Sequence, residues 1–196
     1  MTLPPQVAYQ FPSHPAAAPL ALVGEAPGRE EVREGRPFVG RSGRLLDGHL
    51  ETAGIIRTAC LVANVFRFQP PDNKVGHFFA SRAKARRLGV GLAEQWGPFG
   101  SDYCLAEFAG EIEALRKTLA DLRPAVIVAL GRTPLWALTG LGGILERRGT
   151  VLPCRLLESA RVVPTYHPSY LLRGQRQAEP RFQDDLRLAA ALAAAG

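Results

Sequence analysis

Apolar residues along the chain fall into two rhythms. Residues 20–23, 60–65, 125–130 and 161–165 are short, almost continuous apolar runs, two of them ending at Gly24 and Gly131. Runs of that length bounded by turn residues predict buried strands. Between them the spacing becomes helical. Ser42 is placed to cap a helix over 43–53 that carries Leu45, Leu46, Leu50 and Ala53 close to one face. Phe108, Ile112, Leu115, Leu119 and Leu122 mark a second helix over 105–122, ending before Pro124. A short helix is predicted from Thr133-Pro134 to Leu138, and a final one over 179–195.

Strands apolar on both faces, alternating with helices, predict an α/β fold: a three-layer αβα sandwich around a central, mainly parallel four-stranded sheet. In such sheets ligands bind beyond the C-terminal strand ends. Attention therefore turns to the loops at 24–43, 64–73 and 167–174. Residues 74–102 break the pattern and predict an insertion, with Arg82, Lys84, Arg86 and Arg87 in its first half. Residues 1–19, rich in Pro and Ala, predict a surface segment. No internal repeat is present.

Length and composition narrow the classes. A chain of 196 residues with 46% hydrophobic content suits one domain, 1–196, with a real core. Lys and Arg number 24 against 18 acidic residues, a net charge of +6 that is compatible with a polyanionic partner. Three scattered cysteines, Cys60, Cys104 and Cys154, form neither a disulfide framework nor a metal motif. They suit a reducing compartment. No charged leader with an apolar core is seen, and no apolar run approaches the roughly 20 residues needed to cross a bilayer. The expectation is a cytoplasmic monomer without membrane contact.

Gly24-Glu25-Ala26-Pro27-Gly28 follows the first strand, where nucleotide-binding folds cradle phosphate. No Gly-Lys-Ser/Thr follows, and Glu25, Glu30 and Glu31 would repel a phosphate. That argues against a nucleotide-dependent hydrolase. Taken alone, the segment is a surface turn with a solvated Glu, or a carboxylate set to orient water or stabilise a developing cation. His14, His49, His77 and His167 show no metal-ligand spacing.

The segment continues as Gly35-Arg36-Pro37-Phe38-Val39-Gly40-Arg41-Ser42-Gly43-Arg44-Leu45-Leu46. The second strand ends at Asn64 and leads into Val65-Phe66-Arg67-Phe68-Gln69-Pro70-Pro71-Asp72-Asn73, and the fourth into Thr165-Tyr166-His167-Pro168-Ser169-Tyr170-Leu171-Leu172-Arg173. These three segments, in this order, resemble the signatures of the uracil-DNA glycosylase superfamily, closest to its family-four branch, over about residues 20–188. The resemblance implies a monofunctional DNA-repair glycosylase that flips uracil out of DNA and hydrolyses its N-glycosidic bond, leaving an abasic site. Its partners would be uracil-containing DNA and the abasic product.

The resemblance also implies residue roles. Glu25 would position water and stabilise the sugar cation. His167 would donate to uracil O2, joined by backbone N–H groups near Ala26. Phe38 would stack on the base beside Gly24, or else be an ordinary core residue. Asn64 would read it: an amide carbonyl accepts from uracil N3–H while its NH2 donates to O4, and cytosine presents the reverse pattern. A turn-capping Asn is the alternative. Leu171 and Leu172, with Arg173 beside them, would fill the gap left by the flipped nucleotide and grip phosphate, unless they merely start an amphipathic helix. Arg41, Ser42 and Ser169 would contact phosphates.

The chain also departs from the branch. Family-four enzymes hold an iron–sulfur cluster on four cysteines. Here the N-terminal Cys-x-x-Cys is absent, the other ligand positions are Phe68 and Glu111, and Cys104 is out of register. No cofactor or metal is expected, and packing by Phe68 would replace the metal staple. A covalent-trapping branch uses a histidine in the loop after the Asn. His77 occupies that general loop, which leaves a uracil- or abasic-DNA-binding protein with slow or covalent turnover as the alternative. Gly28 stands where some members carry a bulky Tyr against the thymine methyl group, so the resemblance does not account for thymine rejection.

Overall fold

In the computed structural model, which describes residues 5–14 and 19–195, the four apolar runs become one parallel sheet. The strands are β1 (Leu20–Gly24), β2 (Leu61–Asn64), a short pair β3 (Phe79–Ala80) and β4 (Tyr103–Cys104), then β5 (Val126–Leu130), β6 (Leu152–Pro153) and β7 (Arg161–Thr165). The main sheet runs β2-β1-β5-β7-β6. Its first four members are parallel, and β6 is antiparallel to β7. The sheet thus has five strands, not four. The added edge strand is two residues long and contains Pro153, so it carries no apolar rhythm to read.

The helices are α1 (Arg29–Glu34), α2 (Arg41–Thr52), α3 (Arg82–Leu88), α4 (Ala109–Leu122), α5 (Arg132–Thr139), α6 (Ile144–Arg147), α7 (Pro168–Leu172) and α8 (Glu179–Ala195). Every residue of β1, β2 and β5 is buried, as expected for strands covered on both faces. Alternate side chains divide between the faces. Ala21, Val23, Ile127 and Ala129 join α4 and α5 through Ile112, Leu115 and Trp136. Leu20, Leu22, Val126 and Val128 join α2 and α8 through Leu46, Leu50, Phe182 and Leu186. Two hydrophobic layers result, and the sheet's C-terminal edge between them stays open.

Helix ends differ from the sequence pattern by up to four residues. α2 begins at Arg41 with Gly40 as its N-cap, so Ser42 lies inside the first turn and is not the cap. α4 begins at Ala109, because Leu105 bridges to Leu92 and a 3-10 turn over Ala106–Phe108 intervenes. Within residues 74–102, α3 is exposed apart from Ala85, and Phe78, Phe79 and Ala80 are core. Phe79 stacks on Phe99 at 4.5 Å and meets Trp136 edge-on at 5.2 Å.

Of the segment 1–19, residues 1–4 and 15–18 lie outside the described residues. Gln6 and Gln10 make antiparallel bridges to Phe68 and Val62, and Val7 is buried. Among the described residues no helix is long and apolar enough to cross a membrane.

Candidate active site

The parallel register sets Gly24 directly beside Asn64 at the ends of β1 and β2. A side chain at Gly24 has no room: a Cβ there would lie 2.4 Å from Phe38 Cζ and 2.5 Å from Asn64 Oδ1. The glycine therefore lets the Phe38 ring and the Asn64 amide share one wall. Gly24→Ala is expected to cost about 1–3 kcal/mol by overpacking, measurable by chemical denaturation.

Phe38 takes a left-handed backbone, φ 53°, unusual for an aromatic residue. Its neighbours enforce it. Arg57 donates to the carbonyls of Pro37 (2.7 Å) and Phe38 (3.1 Å) while paired with Asp47. Gly43 is equally required, since a Cβ there would fall 1.9 Å from the Phe38 carbonyl oxygen. Held this way, the ring lies 5.9 Å from that of His167.

Three further elements close the cavity. The Glu25 carboxylate accepts a hydrogen bond from Thr133 Oγ1 at 2.5 Å on one oxygen, and among the described residues its other oxygen has no hydrogen-bond donor. Burial raises the Glu25 pKa above the ordinary carboxylate range, opposed by the Thr133 hydrogen bond and by Arg132 and Arg173. Gly131, with φ 107°, makes the turn from β5 into α5 that delivers Thr133, and passes so close to His167 that a Cβ would sit 3.1 Å from the histidine's own.

His167 caps α7 with its ring. Ser169 N–H donates to Nδ1 at 3.1 Å, Ser169 Oγ lies 2.8 Å from the same nitrogen, and Arg173 donates to that Oγ at 3.0 Å. Nδ1 is thereby the acceptor, and the neutral ring carries its hydrogen on Nε2. Burial, aided by Arg173, lowers the His167 pKa to about 4. The imidazole therefore stays neutral at physiological pH and gains charge only as pH falls through about 4. NMR titration is expected to show the Nε2–H tautomer and no imidazolium near pH 6; a titration at the ordinary value near 6.5 would contradict the geometry.

Asn64 is 5% exposed, and among the described residues its amide has no hydrogen-bond partner. Its amide opens onto the cavity, where a ligand with complementary groups can replace water on it. The Ala26 N–H likewise has no acceptor among the described residues. Glu25, Ala26, Phe38, Asn64 and His167 together line a cavity of about 230 Å³. Its chemistry is specific: the Phe38 face, the Asn64 amide, the neutral His167 N–H, the Ala26 backbone N–H and the Glu25 carboxylate, with the second lining carboxylate, Glu31, already taken by backbone N–H groups. That set suits a flat heterocycle carrying two carbonyls and an imide N–H.

Ser42 and Ser169 also line the cavity, while Arg41 and Arg173 are exposed. Leu172 is half-buried. Leu171 differs from the expectation: it is 1% exposed and packs within the α2–α8 layer, so its side chain is core and not available as a wedge. His77 is exposed, sits 5.6 Å from the Phe108 ring and does not line the cavity.

Sequence reasoning missed three residues. Thr133 anchors Glu25 from 108 positions away. Glu31, read only as a charge that would repel phosphate, accepts from the N–H groups of Gly28 (3.0 Å), Val39 (3.1 Å) and Gly40 (2.9 Å) and so stitches the two halves of the first loop together. Arg57 holds the Phe38 turn. A polar residue in a helix or loop carries no local signal of such distant partners.

The residues at the cluster positions of the resembled branch do not fit an iron–sulfur group. Glu111 is buried and accepts from Arg67 Nε (2.9 Å), Arg67 Nη2 (2.8 Å) and the Arg67 backbone N–H (2.9 Å). Phe68 packs on Phe108, which meets Phe66 and Phe78. Cys60 belongs to one hydrophobic layer, Cys104 and Cys154 to the other. Among the described residues no three His, Cys, Asp or Glu side chains converge.

The sequence model of the uracil DNA glycosylase superfamily matches residues 11–190. A type-4 uracil-DNA glycosylase of Thermotoga maritima is 35% identical over 158 residues, covering 80% of this chain and 67% of the relative. Those of Archaeoglobus fulgidus and Pyrobaculum aerophilum are each 29% identical, over 161 and 175 residues; the matches cover 79% and 86% of this chain, and 67% and 75% of the respective relatives.

Proposed function

The chain belongs to the uracil DNA glycosylase superfamily, and on that premise we propose that it excises uracil from DNA by hydrolysing the bond between N1 of the base and C1′ of the sugar. One observation carries the reading: the Asn64 amide, which makes no side-chain hydrogen bond among the described residues, opens onto a cavity also lined by the Phe38 ring. Uracil satisfies that amide. Its N3–H donates to the carbonyl and its O4 accepts from the NH2, while Phe38 covers one face of the ring.

The target base lies inside the duplex, so the nucleotide is first extruded into the cavity, at a cost of a few kcal/mol of unstacking. As the N1–C1′ bond breaks, its electron pair leaves with the uracil and the sugar becomes oxocarbenium-like. Charge developing on uracil O2 meets the His167 Nε2–H and the Ala26 N–H. A neutral imidazole suffices, because it needs only to donate. The free oxygen of Glu25 stabilises the cationic sugar and orients a water whose oxygen bonds to C1′, taking up the proton that water releases. Ser42 and Ser169 at the cavity, with exposed Arg41 and Arg173 and half-buried Leu172, contact the DNA backbone and the vacated stack.

Product analysis tests hydrolysis against strand cleavage or covalent capture. Oligonucleotides with one deoxyuridine, single- and double-stranded, are expected to give free uracil and an equal number of abasic sites, the strand staying intact until alkali is added. A protein–DNA adduct surviving denaturation, or strand scission without alkali, would contradict the reading.

A further inference from the structure

Beyond the His167 loop the cavity opens into a second cleft of about 510 Å³ that shares Glu25, Ala26 and His167 with it. One wall is α7 with Tyr166 and Tyr170, stacked at 5.1 Å; the other is α6. At the tip of α6, Leu145 is 60% exposed, and among the described residues it is the one strongly exposed large hydrophobic side chain lining this cleft. Arg132 and Arg173 border the same space. Both are exposed, and among the described residues neither forms an ion pair. An exposed apolar tip in a cleft bordered by two cations, with Glu25 at its inner end, fits a nucleic-acid strand that presents both a base face and phosphates.

The position of Leu145 is not left to a loose loop. Left-handed glycines bracket α6, Gly143 at φ 76° and Gly149 at φ 68°. Arg148, next after the helix, donates through Nε to Asp185 at 2.8 Å, and Gly149 N–H donates to the Pro164 carbonyl at 2.9 Å. Asp185 is 1% exposed and also accepts from Thr165 Oγ1 at 2.7 Å, two residues before His167. A single buried carboxylate therefore ties the segment that follows α6 to the end of β7, which leads into α7.

We propose that the cleft between α6 and α7 is the path of the DNA strand adjoining the extruded nucleotide, with Leu145 packed on the neighbouring base and Arg132 and Arg173 on the flanking phosphates. Extrusion unstacks that neighbouring base, and an apolar side chain seated on its exposed face recovers part of the lost contact. Cations facing the backbone make the same strand salt-sensitive. The proposal rests on the uracil-excision reading, and its test separates the two.

Binding is measured for single strands carrying a 2′-fluorinated deoxyuridine, whose electron-withdrawing fluorine opposes the sugar cation and so resists cleavage. One set is extended on both sides of that nucleotide; two others are truncated on the 5′ or the 3′ side. Wild type is expected to gain affinity from extension. Leu145→Ala should lose about tenfold on strands extended through the cleft, and match wild type on those truncated on that one side. Arg132→Gln should reduce the slope of log affinity against log salt by about 0.7 to 1. Variants indistinguishable from wild type on every strand would overturn the proposal, as would a Leu145→Ala loss that is the same on truncated and extended strands. Failure of the excision reading is seen separately, as wild-type protein releasing no uracil from unmodified strands.

Discussion

Glu25→Gln is expected to lower the single-turnover rate of uracil release by about 10²–10³, while the variant stays folded and melts at a higher temperature than wild type. The rate loss follows from charge: glutamine keeps the shape and can still accept from Thr133 Oγ1, but it neither stabilises an oxocarbenium-like sugar nor takes a proton from water. A group aimed at charge developing in the transition state is worth about 3–4 kcal/mol in a closed site. The stability gain follows from the raised pKa. A carboxyl whose folded pKa lies above its unfolded one makes the folded state bind more protons in that window. Stability is therefore lost as pH rises from the ordinary carboxylate range through the folded pKa of Glu25, and glutamine escapes that loss. Activity has the opposite dependence, rising with pH through the same pKa as the carboxylate ionises, and this limb should disappear in the variant. Rate, melting temperature and pH profile together separate a chemical role from a structural one: a structural Glu25 would give lower stability with lower activity.

Asn64→Asp should shift base choice. The position is 5% exposed, so burial favours a protonated carboxyl over a carboxylate. A protonated Asp offers one donor and one acceptor, which complements cytosine N3 and its N4 amino group when the O–H faces N3. The wild-type amide presents a carbonyl to N3–H and an NH2 to O4, which complements uracil. Sites that hydrogen-bond a buried ligand group reject the wrong partner by about 10⁴-fold or more. The uracil-to-cytosine rate ratio is accordingly expected to fall by about 10³ or more, with uracil release itself strongly reduced. A variant that keeps the wild-type ratio would show that Asn64 caps a turn and does not read the base. The cavity supplies the contrast: Asn73 also lines it, but its side-chain oxygen already accepts from Gln69 at 3.0 Å, so only Asn64 of the two offers a whole amide to a ligand.

The parallel sheet was legible because its strands are buried on both faces and therefore read as continuous apolar runs. Residues 161–165 and 179–195 correspond residue for residue to β7 and α8. What escaped was short or polar. β3, β4 and β6 have two residues each, too few for a period, and none of the residues of α1 is buried, so no apolar stripe marks it. Glu25, Asn64 and His167 were legible as members of ordered segments at strand ends. Thr133, Glu31 and Arg57 were not, because each is defined by partners that only the fold brings near. Leu171 and Leu172 illustrate a different limit. Two adjacent leucines on a helix point about 100° apart, so one can face the core and the other the opening, and the pair of letters does not say which. Packing against α2 turns Leu171 inward.

The central claim is that this cavity selects uracil and that its walls break the glycosidic bond. The most direct measurement is a single-turnover competition between two otherwise identical duplexes, one carrying uracil and one cytosine at the same position, with released bases separated by chromatography. The account predicts one free uracil per uracil duplex and cytosine release slower by about 10⁴-fold or more. No base release by the folded protein, or release of cytosine at a rate comparable to uracil, would contradict it.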